Sequence, residues 1–146
     1  MARLVLVALV AAAALAPAAL AGTANGGGRG TVDGTSAFSD FGFGLTTDGG
    51  VQGHFNCLMA GSSQFPGFTL MAVRGQVTNA VVAGGAASFD GVGMFQTGNQ
   101  GKSPATFHVE VTAGGPGVGT LQLTLLTPFF FPLPTERVLV GQISVS

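Results

Sequence analysis

A single all-β domain, either an antiparallel β-sandwich or a flattened barrel of about eight strands, is predicted by three features of the sequence. Short runs alternate apolar and polar residues at period two, clusters of Gly, Pro, Asn and Asp separate the runs, and nothing beyond residue 21 repeats apolar positions at a helical interval. With 146 residues the chain is long enough for one core and short for two.

Residues 1–21 carry one cation, Arg3, then an apolar run over 4–15 and a small-residue ending with Ala19 and Ala21. That order is the pattern of a signal peptide helix cleaved after Ala21, and Pro17 argues against the rival reading, an uncleaved anchor. No stable membrane span is expected after cleavage, and the chain is placed outside the cell or at its envelope. Residues 22–37, with Gly26, Gly27 and Gly28 and no apolar period, read as a flexible lead-in, so the β domain is assigned to 38–146. No Gly-Lys-Ser or Gly-Lys-Thr follows those glycines, which removes a phosphate loop.

The first strand places Phe41, Phe43 and Leu45 on one parity against Asp40, Gly42 and Gly44, and Asp48-Gly49-Gly50 is a hairpin turn signal. The second, 51–59, turns Phe55, Cys57 and Met59 inward and Gln52, His54, Asn56 and Leu58 outward. A third over 67–73 is apolar on both faces, and a fourth over 76–82 alternates less cleanly. The fifth, 86–95, carries Ala87, Phe89, Gly91, Gly93 and Phe95 on one parity, and its two glycines suggest a bulge or strong coiling. The clearest hairpin follows. Ala105, Phe107, Val109 and Val111 oppose Thr106, His108, Glu110 and Thr112, then Gly114-Gly115-Pro116-Gly117 turns the chain, and Leu121, Leu123 and Leu125 alternate with Gln122 and Thr124. Pro128, Pro132 and Pro134 exclude a regular central strand over 127–134 and leave a loop bearing Phe129, Phe130 and Phe131. A closing strand over 138–145 needs a change of register near Gly141 to keep Val138 and Ile143 on the same face.

Phe41-Gly42-Phe43-Gly44, the run 48–56, Gly75-Gln76-Val77, Ala87-Ser88-Phe89-Asp90-Gly91-Val92-Gly93, and a Phe-x-Val-x-Val strand ahead of Gly114-Gly115-Pro116-Gly117 together resemble a family of uncharacterised small secreted bacterial all-β domain proteins. The likeness runs over about 38–145. These motifs are strand alternation and turn glycines, so the resemblance implies a fold and carries no activity, ligand or catalytic residue with it.

Downstream of Ala21 the cations are Arg29, Arg74, Lys102 and Arg137, against Asp33, Asp40, Asp48, Asp90, Glu110 and Glu136. Four scattered cations on a slightly acidic chain do not suit nucleic acid or anionic lipid. Cys57 is the single cysteine, so no internal disulfide forms, and its inward parity makes it a small buried hydrophobe. His54 and Cys57 stand three apart on a strand and face opposite ways, so neither a metal nor any other cofactor is expected. Asp33, Asp48 and Asp90 each precede a glycine, the habit of turn aspartates. Asp90 and Glu110 meeting across strands is the one arrangement that would suit a hydrolase; no nucleophile motif accompanies it and the chain has neither Trp nor Tyr to stack a sugar. The expectation is therefore a non-enzymatic domain that binds, or serves structurally. Its contact residues are Phe129, Phe130 and Phe131, and its partner is a protein, an envelope component or an apolar ligand. Carriage of a small apolar ligand inside a barrel is the alternative.

Overall fold

The computed structural model describes residues 21–60, 70–98 and 100–146; the expected signal segment apart from Ala21, and residues 61–69 with the start of the expected third strand, lie outside the described residues. The described chain is all β: β1 (Thr23–Thr31), β2 (Phe38–Thr46), β3 (Gln52–Ala60), β4 (Leu70–Ala83), β5 (Ala86–Thr97), β6 (Ser103–Thr112), β7 (Thr120–Thr127), β8 (Phe131–Pro132) and β9 (Glu136–Val145). Consecutive strands from β1 to β7 pair antiparallel, β7 pairs β9, and β9 pairs β1, so eight strands close into a barrel and the two-residue β8 is a ninth beside β7. Closure leaves no long sheet edge to template aggregation. Among the described residues no helix is long and apolar enough to cross a membrane.

The alternation read from the sequence sets the polarity of the wall. Phe41, Phe43, Leu45, Phe55, Met59, Phe89, Phe107, Val109, Leu123 and Leu125 are buried inside, whereas Thr23, Asn25, Gln52, His54, Arg74 and Gln76 face out. A barrel threading a bilayer has the opposite arrangement, with an apolar belt outside. The lumen is filled by rings from strands that are not neighbours. Phe43 of β2 meets Phe89 of β5 at 5.6 Å between centroids, Phe55 of β3 meets Phe89 at 5.9 Å, and Phe55 meets Phe107 of β6 at 5.3 Å. At this level the space in which a ligand would ride is occupied by side chains.

Glycines provide the room for those rings. A Cβ at Gly91 would collide with the Phe107 ring, and one at Gly75, on the adjacent strand, would stand 2.8 Å from the same ring. Gly91 therefore marks a ring lying across the strands, whereas a Cβ at Gly93 would strike the Arg74 carbonyl of β4. The expected bulge falls instead on the partner strand, where β4 slips past β5 at Thr78 between Val77 and Asn79.

Three expectations are corrected. Residues 23–31, assigned to a flexible lead-in, form β1, bonded along one edge to β2 and along the other to β9; the β domain begins there and not at residue 38. Its glycines hide the alternation because they replace inward side chains: a Cβ at Gly26 would stand 2.7 Å from Phe43, and one at Gly30 would strike Glu136. The expected third and fourth strands are one strand, β4, continuous from Leu70 to Ala83 through Gly75. The two errors cancel in the total, which stays at eight. Residues 127–134 are not wholly a loop, since Phe131 and Pro132 pair with Leu125 and Thr124, and Leu133 is buried with its N–H donating to the Leu123 carbonyl. Pro134 ends that short segment, and β9 resumes along β7 at Glu136. The register change in β9 is present: Arg29 opposes Val140 while Gly30 opposes Val138, leaving Leu139 bulged outward, with Gly141 just beyond it at φ +100°, a backbone that favours glycine.

Two outcomes are expected from this architecture. A chain lacking residues 1–37 loses β1 and with it barrel closure, so it should show no cooperative urea transition, whereas one lacking only 1–21 should unfold cooperatively. Gly91→Ala should cost about 1–3 kcal/mol as an overpacked site. Combined with Phe107→Leu its cost should shrink, which a double-mutant cycle in urea would read.

Candidate functional site

One end of the barrel gathers the ends of β1, β3, β5 and β7 and the starts of β2, β4, β6 and β9, and the predicted aromatic residues stand on its rim. After β7 the chain turns at Pro128 and returns through β8, so the three rings point in different directions. Phe131 is half-buried against the core, Phe129 is 41% exposed and packs edge-on to the buried Phe95 at 5.5 Å, and Phe130 is 71% exposed. Phe129 and Phe131 also meet, at 6.4 Å. The rings neither all plug the core nor all project. Leu126, just before the turn, and Met94, on the outer face of β5 beside Phe95, add exposed apolar surface at this end.

Asp90 and Glu110 are brought together, with a histidine between them. His108 Nδ1 lies 2.7 Å from Asp90 Oδ1 and its Nε2 lies 3.7 Å from Glu110 Oε1, while Asn79 Nδ2 donates to Asp90 Oδ2 at 3.3 Å. Asp90 thus sits mid-strand in β5 and not in a turn. A pair of carboxylates that cleaves a glycosidic bond holds the sugar between them, and here an imidazole fills that place. Glu110 also lines an open groove of about 450 Å³ with Ser88, Gln122 and Thr135.

A third cluster lies inside the wall, and only Cys57 of it drew notice in the sequence. Ser39 of β2 and Glu136 of β9 are both buried, and the Ser39 hydroxyl donates to Glu136 Oε2. Burial pushes the Glu136 carboxyl up, with the Ser39 hydrogen bond opposing that shift. Cys57 is buried nearby, its thiol pushed up to about 12, first by desolvation and then by the charge of Glu136. Such a thiol is inert as a nucleophile. The parity that could have revealed this cluster is simple: Ser39 continues the inward series of Phe41 and Phe43, and Glu136 shares its face with Val138. Gly30 leaves the volume that the Glu136 side chain needs. Among the described residues no group of three or more His, Cys, Asp or Glu side chains is arranged to hold a metal ion.

No family model, curated protein or solved structure matches the chain.

The rim predicts a graded series. Phe130→Ser should change stability by no more than about 0.5 kcal/mol, as an exposed position does. Phe131→Ser should cost roughly half of the 3–5 kcal/mol of a fully buried ring. Denaturant titration of the single variants reads both. For Glu136 the folded carboxyl is raised above its unfolded value, so its contribution is fully present at low pH and is lost as pH rises through the folded value. Relative to wild type, Glu136→Gln should therefore gain stability steadily as pH climbs above the ordinary carboxylate range, about 4.3. Urea midpoints of the two proteins across pH would show it.

Proposed function

We propose that this protein is a secreted, non-enzymatic β-barrel that acts by binding, outside the cell or at its envelope, and that residues 1–21 are removed on export. Membership of the secreted bacterial family it resembles is part of the same proposal. The observation that carries the reading is the rim, where Phe130 is 71% exposed on a turn anchored by Phe129 and Phe131. An aromatic ring held out on a buttressed turn loses little conformational freedom when a partner covers it, and aromatic anchors of this kind carry much of the energy at protein interfaces. The partner is a protein or an envelope component that presents an apolar surface.

Two features weigh against the rivals. A hydrolase built on Asp90 and Glu110 would have to displace His108, which is hydrogen-bonded to the first and lies beside the second. Ligand carriage in the lumen meets the crossing contacts of Phe43, Phe55, Phe89 and Phe107, so carriage would fall to the outer wall or the rim.

Site-specific photocrosslinking in the producing cells tests the rim. A photoreactive phenylalanine analogue at Phe130 should give a discrete adduct, and the same group at Val81, which is 62% exposed away from the rim, should give none. Adducts of equal yield from both positions, or from neither, would sink the proposal.

A further inference from the structure

The outer wall formed by β3, β4 and β5 carries an open groove of about 310 Å³ that adjoins the aromatic turn, since Phe95, which lines it, packs against Phe129. Its apolar floor comes from three neighbouring strands. Leu58 of β3 sits opposite Ala72 of β4, and Met94 of β5 sits opposite Arg74, two residues along β4 from Ala72 and so on the same face. Three strands about 4.8 Å apart make this floor roughly 10 Å across. Arg74 and Lys102, the latter from the turn between β5 and β6, complete the lining with Phe95 and Gln96.

The charge pairing of the whole molecule singles this groove out. Arg29 is held by Asp40 at 2.8 Å and Arg137 by Asp33 at 2.9 Å. Arg74 and Lys102 form no ion pair among the described residues, and both line this groove. Among the described residues no Asp or Glu lines it, although acidic residues outnumber basic ones over the full chain. Two unneutralised cations beside an apolar floor complement a ligand that is itself half apolar and half anionic.

We infer that the groove binds a small amphiphilic anion, an acyl or aryl carboxylate, with its apolar part over Leu58, Ala72 and Met94 and its head group between Arg74 and Lys102. The guanidinium takes a carboxylate through two parallel hydrogen bonds, and the Lys102 ammonium adds a point charge. The aliphatic stems of both side chains extend the apolar floor. An inorganic anion would leave that floor unused, and a nucleic acid would find two cations and no stacking ring other than Phe95, which is buried. The inference is separable from the rim proposal, because none of Phe129, Phe130 and Phe131 lines the groove, although the two surfaces adjoin at Met94 and Phe95.

Titration calorimetry of the chain lacking residues 1–21 with decanoate, at low ionic strength, tests it. Saturable binding at one site is expected, weakened at least about tenfold in the double variant Arg74→Gln, Lys102→Gln and to a similar degree when decanol replaces decanoate. Met94→Glu should abolish binding by placing a carboxylate in the floor, and Phe130→Ser should leave it unchanged. Urea midpoints close to wild type would show that these variants fold. The inference is overturned if decanoate gives no saturable heat, if the folded double variant binds it as well as wild type, if decanol or inorganic phosphate binds equally tightly, or if Phe130→Ser removes the binding.

Discussion

Filling the inside of a closed eight-stranded barrel is the constraint on which the rest of this molecule depends. An eight-stranded barrel has an interior that side chains can just occupy, and here Phe43, Phe55, Phe89 and Phe107 meet across it at centroid separations of 5.3–5.9 Å. Rings of that size fit only where the wall yields, so Gly75 and Gly91 lie under Phe107 and Gly26 lies beside Phe43. Large residues and glycines are two halves of one packing solution. With no internal disulfide available, this packing and the closed ladder of hydrogen bonds hold the fold.

Closure itself falls to β1 and β9, and there the core stops being purely apolar. β1 joins β2 to β9 over its whole length, and the volume left by Gly30 admits the Glu136 carboxyl, capped by Ser39. A buried acid at a seam costs desolvation that one hydroxyl offsets only in part. The raised carboxyl and the raised Cys57 thiol are the electrostatic record of that burial. The short β7–β9 contact beside it is extended by the loop between β6 and β7: Gly117 N–H donates to the Val138 carbonyl, and Gly114 and Ile143 exchange backbone bonds.

With the inside spoken for, function is left to the outer wall and the rims. Most outward charges are spent on neighbours: Arg29 on Asp40 and the ring of Phe38, Arg137 on Asp33 and the Gly117 carbonyl, His108 on Asp90. Among the described residues, the Phe130 ring at one end and the Arg74 and Lys102 groove on one side stay uncommitted. Both are the surfaces we propose for recognition, and they suit different chemistry.

The sequence by itself determined the β class, the inward set of most strands, the wide turn between Val111 and Leu121 and the burial of Cys57, because period two fixes which face a side chain takes once a strand exists. It also marked Phe129 to Phe131, on a Pro-bounded segment, as the candidate contact residues. It did not reveal β1, because a strand whose inward positions are glycines has no apolar signal; its existence depends on hydrogen bonds to β2 and β9, partners far along the chain. For the same reason Gly75 looked like the break between two strands until Phe107 was seen to cover it. Glu136 stood only among the acidic residues, Asp90 read as a turn residue, and Arg74 and Lys102 as scattered cations. Parity could have placed Glu136 inward, but its partner and the pairing and convergence of the others were decided only by tertiary structure, since they depend on which strands become neighbours when the barrel closes.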